Sequence, residues 1–153
     1  MILEAAELRF ALKHGMADLN EVIEWADALI LKMDVGNNDI FDIAMSKTKY
    51  EAFTNLGKFS GKVDTFRILR RFSLRFLNIE VIKFSTALKI AEDTKLFFLS
   101  KEKLPADMEQ IQKLYFILDY APYGWSQNSK TDAVKTFLST YRSLAQEQPN
   151  SPP

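Results

Sequence analysis

Apolar residues recur along this chain at intervals of three and four, the spacing of one helical face. Leu3, Ala6 and Phe10 form a first stripe, which predicts a helix over 2–13 stopped by Gly15. Asp18-Leu-Asn-Glu21 has the form of a capping box, in which the Asp18 carboxylate accepts from the Glu21 amide and Glu21 reaches back. The helix behind it, over 19–33, places Val22, Ile23, Ala26, Leu29, Ile30 and Met33 on one arc. Trp25 falls at the edge of that arc, and Glu24 and Asp27 fall opposite it. A turn cluster over 34–38 leads to a short helix over 39–46 with Asp39 and Asp42 on its polar side. Thr48-Lys-Tyr-Glu51 is a second capping pattern, opening a helix to residue 58 that Ser60-Gly61 breaks.

The second half reads the same way. Over 62–77, Phe66, Ile68, Leu69, Phe72 and Phe76 share a broad face, and Arg67, Arg71 and Arg75 recur every fourth residue on the other. Over 79–99 there are two apolar stripes, one with Val81, Phe84, Leu88 and Ala91 and one with Ile82, Ile90 and Phe97. A helix apolar on two sides is expected at the centre of its fold. The run Lys95–Ser100 also reads as a strand. Pro105 suits a first helical turn, and Met108, Ile111, Tyr115 and Leu118 align over 105–120. A loop over 121–128 precedes Ser129-Lys-Thr-Asp132, a cap for a last helix over 130–146 that turns Val134, Phe137, Leu138, Tyr141 and Leu144 inward. These elements predict an all-α fold of seven to eight helices, a single-domain irregular bundle or a short α-solenoid-like array. The domain spans 1–146, and 147–153 is a flexible polar tail.

Composition narrows the function. The 153 residues suffice for one core without staples. There is no Cys, which removes disulfides and thiolate metal sites, and the one histidine, His14, cannot make a multi-histidine site. His14 stands beside Gly15 at a helix end and reads as a capping or surface residue, because a general base needs a partner. No glycine-rich phosphate loop is present: Gly57 and Gly61 flank Lys58 and Lys62 without a Gly-Lys-Ser/Thr sequence. No nucleophile elbow occurs either. No catalytic residue, metal site or cofactor is therefore expected, and the chain is read as a non-enzyme. The first residues lack the basic region of a signal peptide, and no long charge-free apolar run exists. A cytoplasmic protein with no membrane partner is expected.

Net charge is zero, with 20 basic and 20 acidic side chains, but it is unevenly spread. Residues 1–55 carry net −5, residues 56–90 net +6 and the remainder net −1. Two candidate surfaces follow. Glu24, Asp27, Asp39 and Asp42 lie on polar faces of consecutive helices and, if those helices pack together, would attract a basic partner. As ordinary surface charge they need no partner. Arg67, Arg70, Arg71 and Arg75 could hold a polyanion, or could be the solvated face of an amphipathic helix paired with the acidic first third. The zero net charge speaks against direct nucleic-acid binding. Tyr123 and Trp125, in the loop, suit either a binding hot spot or a lid over the core.

The segments Ala11-Leu-Lys-His-Gly15, Val22-Ile-Glu-Trp-Ala-Asp-Ala-Leu-Ile30 and Ile40-Phe-Asp-Ile-Ala-Met-Ser46 together resemble small all-helical bacterial immunity proteins of polymorphic toxin and contact-dependent inhibition systems. The resemblance covers the first 60 residues or so. It implies a non-enzymatic inhibitor that binds a cognate protein toxin, such as a nuclease domain, and blocks its active site. Glu24, Asp27, Asp39, Asp42, Tyr123 and Trp125 are the residues to which the residue reading assigns partner binding. The alternative is a nucleic-acid-binding or regulatory module using the Arg67, Arg71 and Arg75 face.

Overall fold

The computed structural model describes residues 1–33, 36–99, 101, 103–124 and 129–147. The chain is an all-α helical protein, with 77% of the described residues in helices. The described residues form eight α-helices: α1 (Ile2–Lys13), α2 (Leu19–Ile30), α3 (Asn38–Ala44), α4 (Lys49–Ser60), α5 (Thr65–Ser73), α6 (Phe84–Phe98), α7 (Glu109–Tyr120) and α8 (Ser129–Gln146). Three short 3-10 turns, Leu74–Leu77, Ala106–Met108 and Ala121–Tyr123, lie between them. The sequence reading treats 1–146 as one domain. The chain forms two compact units, Met1–Phe72 and Ser73–Pro153, and each is described by itself.

In the first unit α1 is the buried helix. Ala5, Ala6, Glu7, Leu8, Phe10, Ala11 and Leu12 are all buried, so burial runs around most of the helix. Its alanines let neighbouring backbone approach closely, and α4 packs along it. Ala52, Leu56 and Ser60 bury the matching face of α4. Arg9 of α1 lies across this seam. Its Nε donates to the Phe53 carbonyl at 3.2 Å, and its guanidinium carbon stands 4.2 Å from the Phe53 ring centroid. Both expected N-caps form: the Glu21 amide donates to Asp18 Oδ1 at 2.9 Å, and the Glu51 amide donates to Thr48 Oγ1 at 3.1 Å. Glu51 Oε2 in turn accepts from the Lys47 amide at 2.7 Å, one residue ahead of the Thr48 cap. Phe72 of α5 meets Phe10 edge-on with ring centroids 4.8 Å apart.

In the second unit α6 packs on α7 and α8. Its buried positions are Ala87, Ile90, Ala91, Thr94 and Phe98, a single face rather than two. The helix continues to Phe98, so the strand reading of Lys95–Ser100 fails over its described residues. Phe76, Phe137 and Tyr141 are fully buried and pack ring against ring at 4.7–5.5 Å.

Several helix boundaries differ from expectation: α2 ends at Ile30 rather than at residue 33, and α7 starts at Glu109, behind the 3-10 turn Ala106–Met108, rather than at residue 105. The predicted helix over 62–77 is shorter as an α-helix: α5 starts at Thr65 and tightens into the 3-10 turn after Ser73. The predicted helix over 79–99 begins only at Phe84. Residues 79–83 carry the β-branched Ile79, Val81 and Ile82, which have lower helix propensity. The Arg142 side chain also competes for local carbonyls, because Nε donates to the Phe76 carbonyl at 3.1 Å and Nη2 donates to that of Ile79. Ser129, expected as a cap, is the first residue of α8 itself. The flexible tail falls, beyond Glu147, outside the described residues.

Candidate functional site

The acidic candidates belong to two helices that pack together, α2 and α3. Val22 and Ala26 fix the inner face of α2, and Ile40 and Ile43 that of α3. Helical spacing then turns Glu24, Asp27 and Leu31 outward along α2 and its cap, and Asp39, Asp42 and Met45 outward along α3 and its cap. All four carboxylates are exposed. Leu31 and Met45 are 88% and 73% exposed, so each row of acids ends in a large apolar side chain. The α3–α4 corner is held by local bonds. Asn55 Nδ2 donates to the Asp42 carbonyl at 3.0 Å, and Ser46 Oγ donates to that same carbonyl at 3.1 Å.

Position along the helix separates these acids into two kinds. Asp39 is in the first turn of α3, where its amide donates to Asn37 Oδ1 at 2.9 Å and its carboxylate favours the helix dipole. Asp27 and Asp42 occupy the last turns of α2 and α3, neither of which has a basic residue. A carboxylate there opposes the negative end of the dipole, at roughly 0.3–1 kcal/mol each. Neither forms an ion pair with another described residue. Local helix energetics therefore do not account for their presence.

Tyr123 ends the 3-10 turn after α7 and is 83% exposed, so it is no lid over a core. It belongs to the second unit, while the four acids belong to the first. Trp125 lies outside the described residues.

The arginines separate as well. Arg67 is exposed. Arg71 Nη2 reaches Glu4 Oε1 at 3.1 Å, and Arg70 and Arg75 are engaged too. Burial by itself would raise the Glu4 carboxyl. The hydrogen bond from Trp25 and the nearby positive charges of the Met1 amino group and Arg71 outweigh it, and the pKa falls below the ordinary value of 4.5. Trp25, which the sequence places only at the edge of an apolar arc, thus donates through Nε1 to Glu4 at 3.4 Å and stacks edge-on against Phe59.

His14 caps the end of α1 with its ring 4.7 Å from that of Phe10. Among the described residues no group of three or more His, Asp or Glu side chains is placed to hold a metal ion. No described helix is long and apolar enough to cross a membrane.

Fold and surface together define an all-α helical protein with an exposed acidic and apolar face on α2 and α3. No protein-family model, curated protein or solved structure matches the chain.

Proposed function

We propose that the chain is a non-enzymatic protein-binding module of the immunity type, acting in the cytoplasm to neutralise a cognate toxin by covering its active site. The observation that carries this reading is the placement of Asp27 and Asp42. Both are exposed at the dipole-disfavoured ends of neighbouring helices, without an ion pair among the described residues. Side chains that oppose local stability are common where a surface is kept for recognition. A basic groove, such as the substrate channel of a nuclease, is the complementary surface. Leu31 and Met45 would supply the desolvated contacts that charge alone does not. The alternative polyanion reading is weaker, since Arg71 is committed to Glu4 and Arg70 and Arg75 are engaged.

The test is the rate of association with a toxin domain, sought among the products of the neighbouring reading frames. Changing Asp27→Lys and Asp42→Lys together should slow association by about tenfold or more at low salt, with the difference shrinking as salt screens the field. The same double variant should melt slightly higher than the parent in isolation. Equal association rates at every ionic strength, or substrate turnover by the isolated chain, would overturn the reading.

A further inference from the structure

The start of α8 and the extended segment ahead of α6 enclose a cleft of about 340 Å³ within the second unit. That volume is at the low end of the roughly 300–1,000 Å³ of small-molecule sites. Its helical wall follows from spacing. Lys130, Val134 and Leu138 stand four apart on one row of α8, and Thr131 and Lys135 stand on the next. Leu138 is buried and Val134 half-buried, whereas Lys130, Thr131 and Lys135 are exposed. The wall therefore grades from apolar inside to cationic at the rim.

The opposite wall is Glu80, Val81 and Ile82 with Phe84, the first residue of α6. The two Arg142 bonds to the Phe76 and Ile79 carbonyls fix the start of this extended segment. The wall is thus set by the protein's own contacts. Val81 is 85% exposed, an apolar side chain left at the cleft by this arrangement.

Charge selects the ligand. Lys130 Nζ stands 5.3 Å from the Phe84 ring centroid, so one cation is held over the aromatic part of the wall. Neither Lys130 nor Lys135 forms an ion pair with another described residue. Glu80 is the one carboxylate lining the cleft. Two cations against one anion favour a single negative charge, and Glu80 would oppose a second.

We propose that this cleft binds a small amphipathic monocarboxylate, with its apolar body against Phe84, Val134 and Leu138 and its carboxylate on Lys130 and Lys135. The site is in the second unit and does not depend on the acidic face of α2 and α3.

Octanoate is the probe. It is titrated into the isotope-labelled full-length chain, with octylammonium and octanol as parallel arms, and backbone amide shifts are followed. Saturable shifts confined to residues 80–84 and 130–138, stronger for octanoate than for either other arm, are the expected result. Lys130→Gln with Lys135→Gln should weaken octanoate by about threefold to tenfold and leave octanol unchanged. Val134→Trp, which fills the cleft, should abolish the response while the helical circular dichroism is retained. Absence of saturable shifts at millimolar octanoate would overturn the assignment. So would equal responses to octylammonium or to octanol.

Discussion

Arg71 Nη2 lies 3.1 Å from Glu4 Oε1, and the two residues are 67 positions apart in the chain. The same carboxylate accepts from the Trp25 indole at 3.4 Å, so one side chain of α1 ties down α2 and α5. Both partners of the ion pair are partly open to solvent, at 33% and 40% for Glu4 and Arg71, so screening limits its worth. A double-mutant cycle with Glu4→Gln and Arg71→Gln should return a coupling of about 0.2–1 kcal/mol. The pH dependence has a fixed sign. The Glu4 pKa is lowered in the folded state, so its contribution is complete above the unfolded value and is lost as pH falls through the folded one. Urea midpoints measured from pH 7 down to pH 3 should therefore fall less steeply for Glu4→Gln than for the parent. Parallel profiles would remove the pair from the account of stability.

Gly57 is a second consequence of the α1–α4 seam. It lies inside α4, where glycine is less favourable than alanine by about 1 kcal/mol. A Cβ at this position would stand 2.9 Å from Arg9 Nε and Cζ. Those atoms end a flexible side chain and can move, but moving them gives up the bond to the Phe53 carbonyl and the stacking on its ring. A charged hydrogen bond is worth about 1.5–3 kcal/mol, more than the helix propensity gained. Gly57→Ala should therefore destabilise the parent by about 1 kcal/mol and stabilise an Arg9→Ala background by a similar amount. The check is chemical denaturation of the four proteins. The same sign in both backgrounds would show that Arg9 does not set the requirement for glycine.

What the sequence discloses and what it conceals divide along the range of the interactions. Asp18 with Glu21 and Thr48 with Glu51 are legible because a cap is settled within four residues. The outward turn of Glu24, Asp27, Asp39 and Asp42 is legible too, because Val22, Ala26, Ile40 and Ile43 orient each helix locally. The burial of α1 is not, since its alanines give almost no contrast between faces and only the packed α4 reveals why they are small. Residues 79–83 read as helix until Arg142, 63 positions beyond Ile79, takes the carbonyl. The cleft beside them is invisible for the same reason. The arginine row is evident from its period, but the employment of Arg71 depends on Glu4, which periodicity cannot pair with it.

Thr48 offers a local test of the capping account. Its hydroxyl oxygen accepts from the Glu51 amide, and the Glu51 carboxylate accepts from the Lys47 amide. Thr48→Ala should cost about 1 kcal/mol, and Thr48→Asp should retain most of the stability. Measuring urea midpoints for both variants separates capping from side-chain volume, because aspartate restores the acceptor and removes the methyl group. Equal losses in the two would point away from the cap.

Tyr141 makes the second unit sensitive to alkali. Its ring is fully buried between Phe76 and Phe137, and its hydroxyl lies 3.3 Å from Thr94 Oγ1. The Thr94 hydroxyl also bonds the Ile90 carbonyl, at 2.7 Å. Burial pushes the phenol pKa far above its ordinary value of 10, against a smaller opposing effect of the Thr94 hydrogen bond. A tyrosine raised in this way stabilises the fold fully below its unfolded pKa. That contribution is lost as pH rises beyond it, at up to about 1.4 kcal/mol per pH unit. Tyr141→Phe should cost about 0.5–1.5 kcal/mol at pH 7, because it removes a hydrogen bond and keeps the ring. The same variant should lose less stability than the parent between pH 9.5 and 11.5, since it has no phenol to ionise at this site. Tyr141→Ala should cost about 3–5 kcal/mol by opening a cavity beside Phe76 and Phe137. Denaturant titrations across that pH range decide the matter: identical alkaline slopes for the parent and Tyr141→Phe would mean that another group, and not the buried phenol, governs the loss.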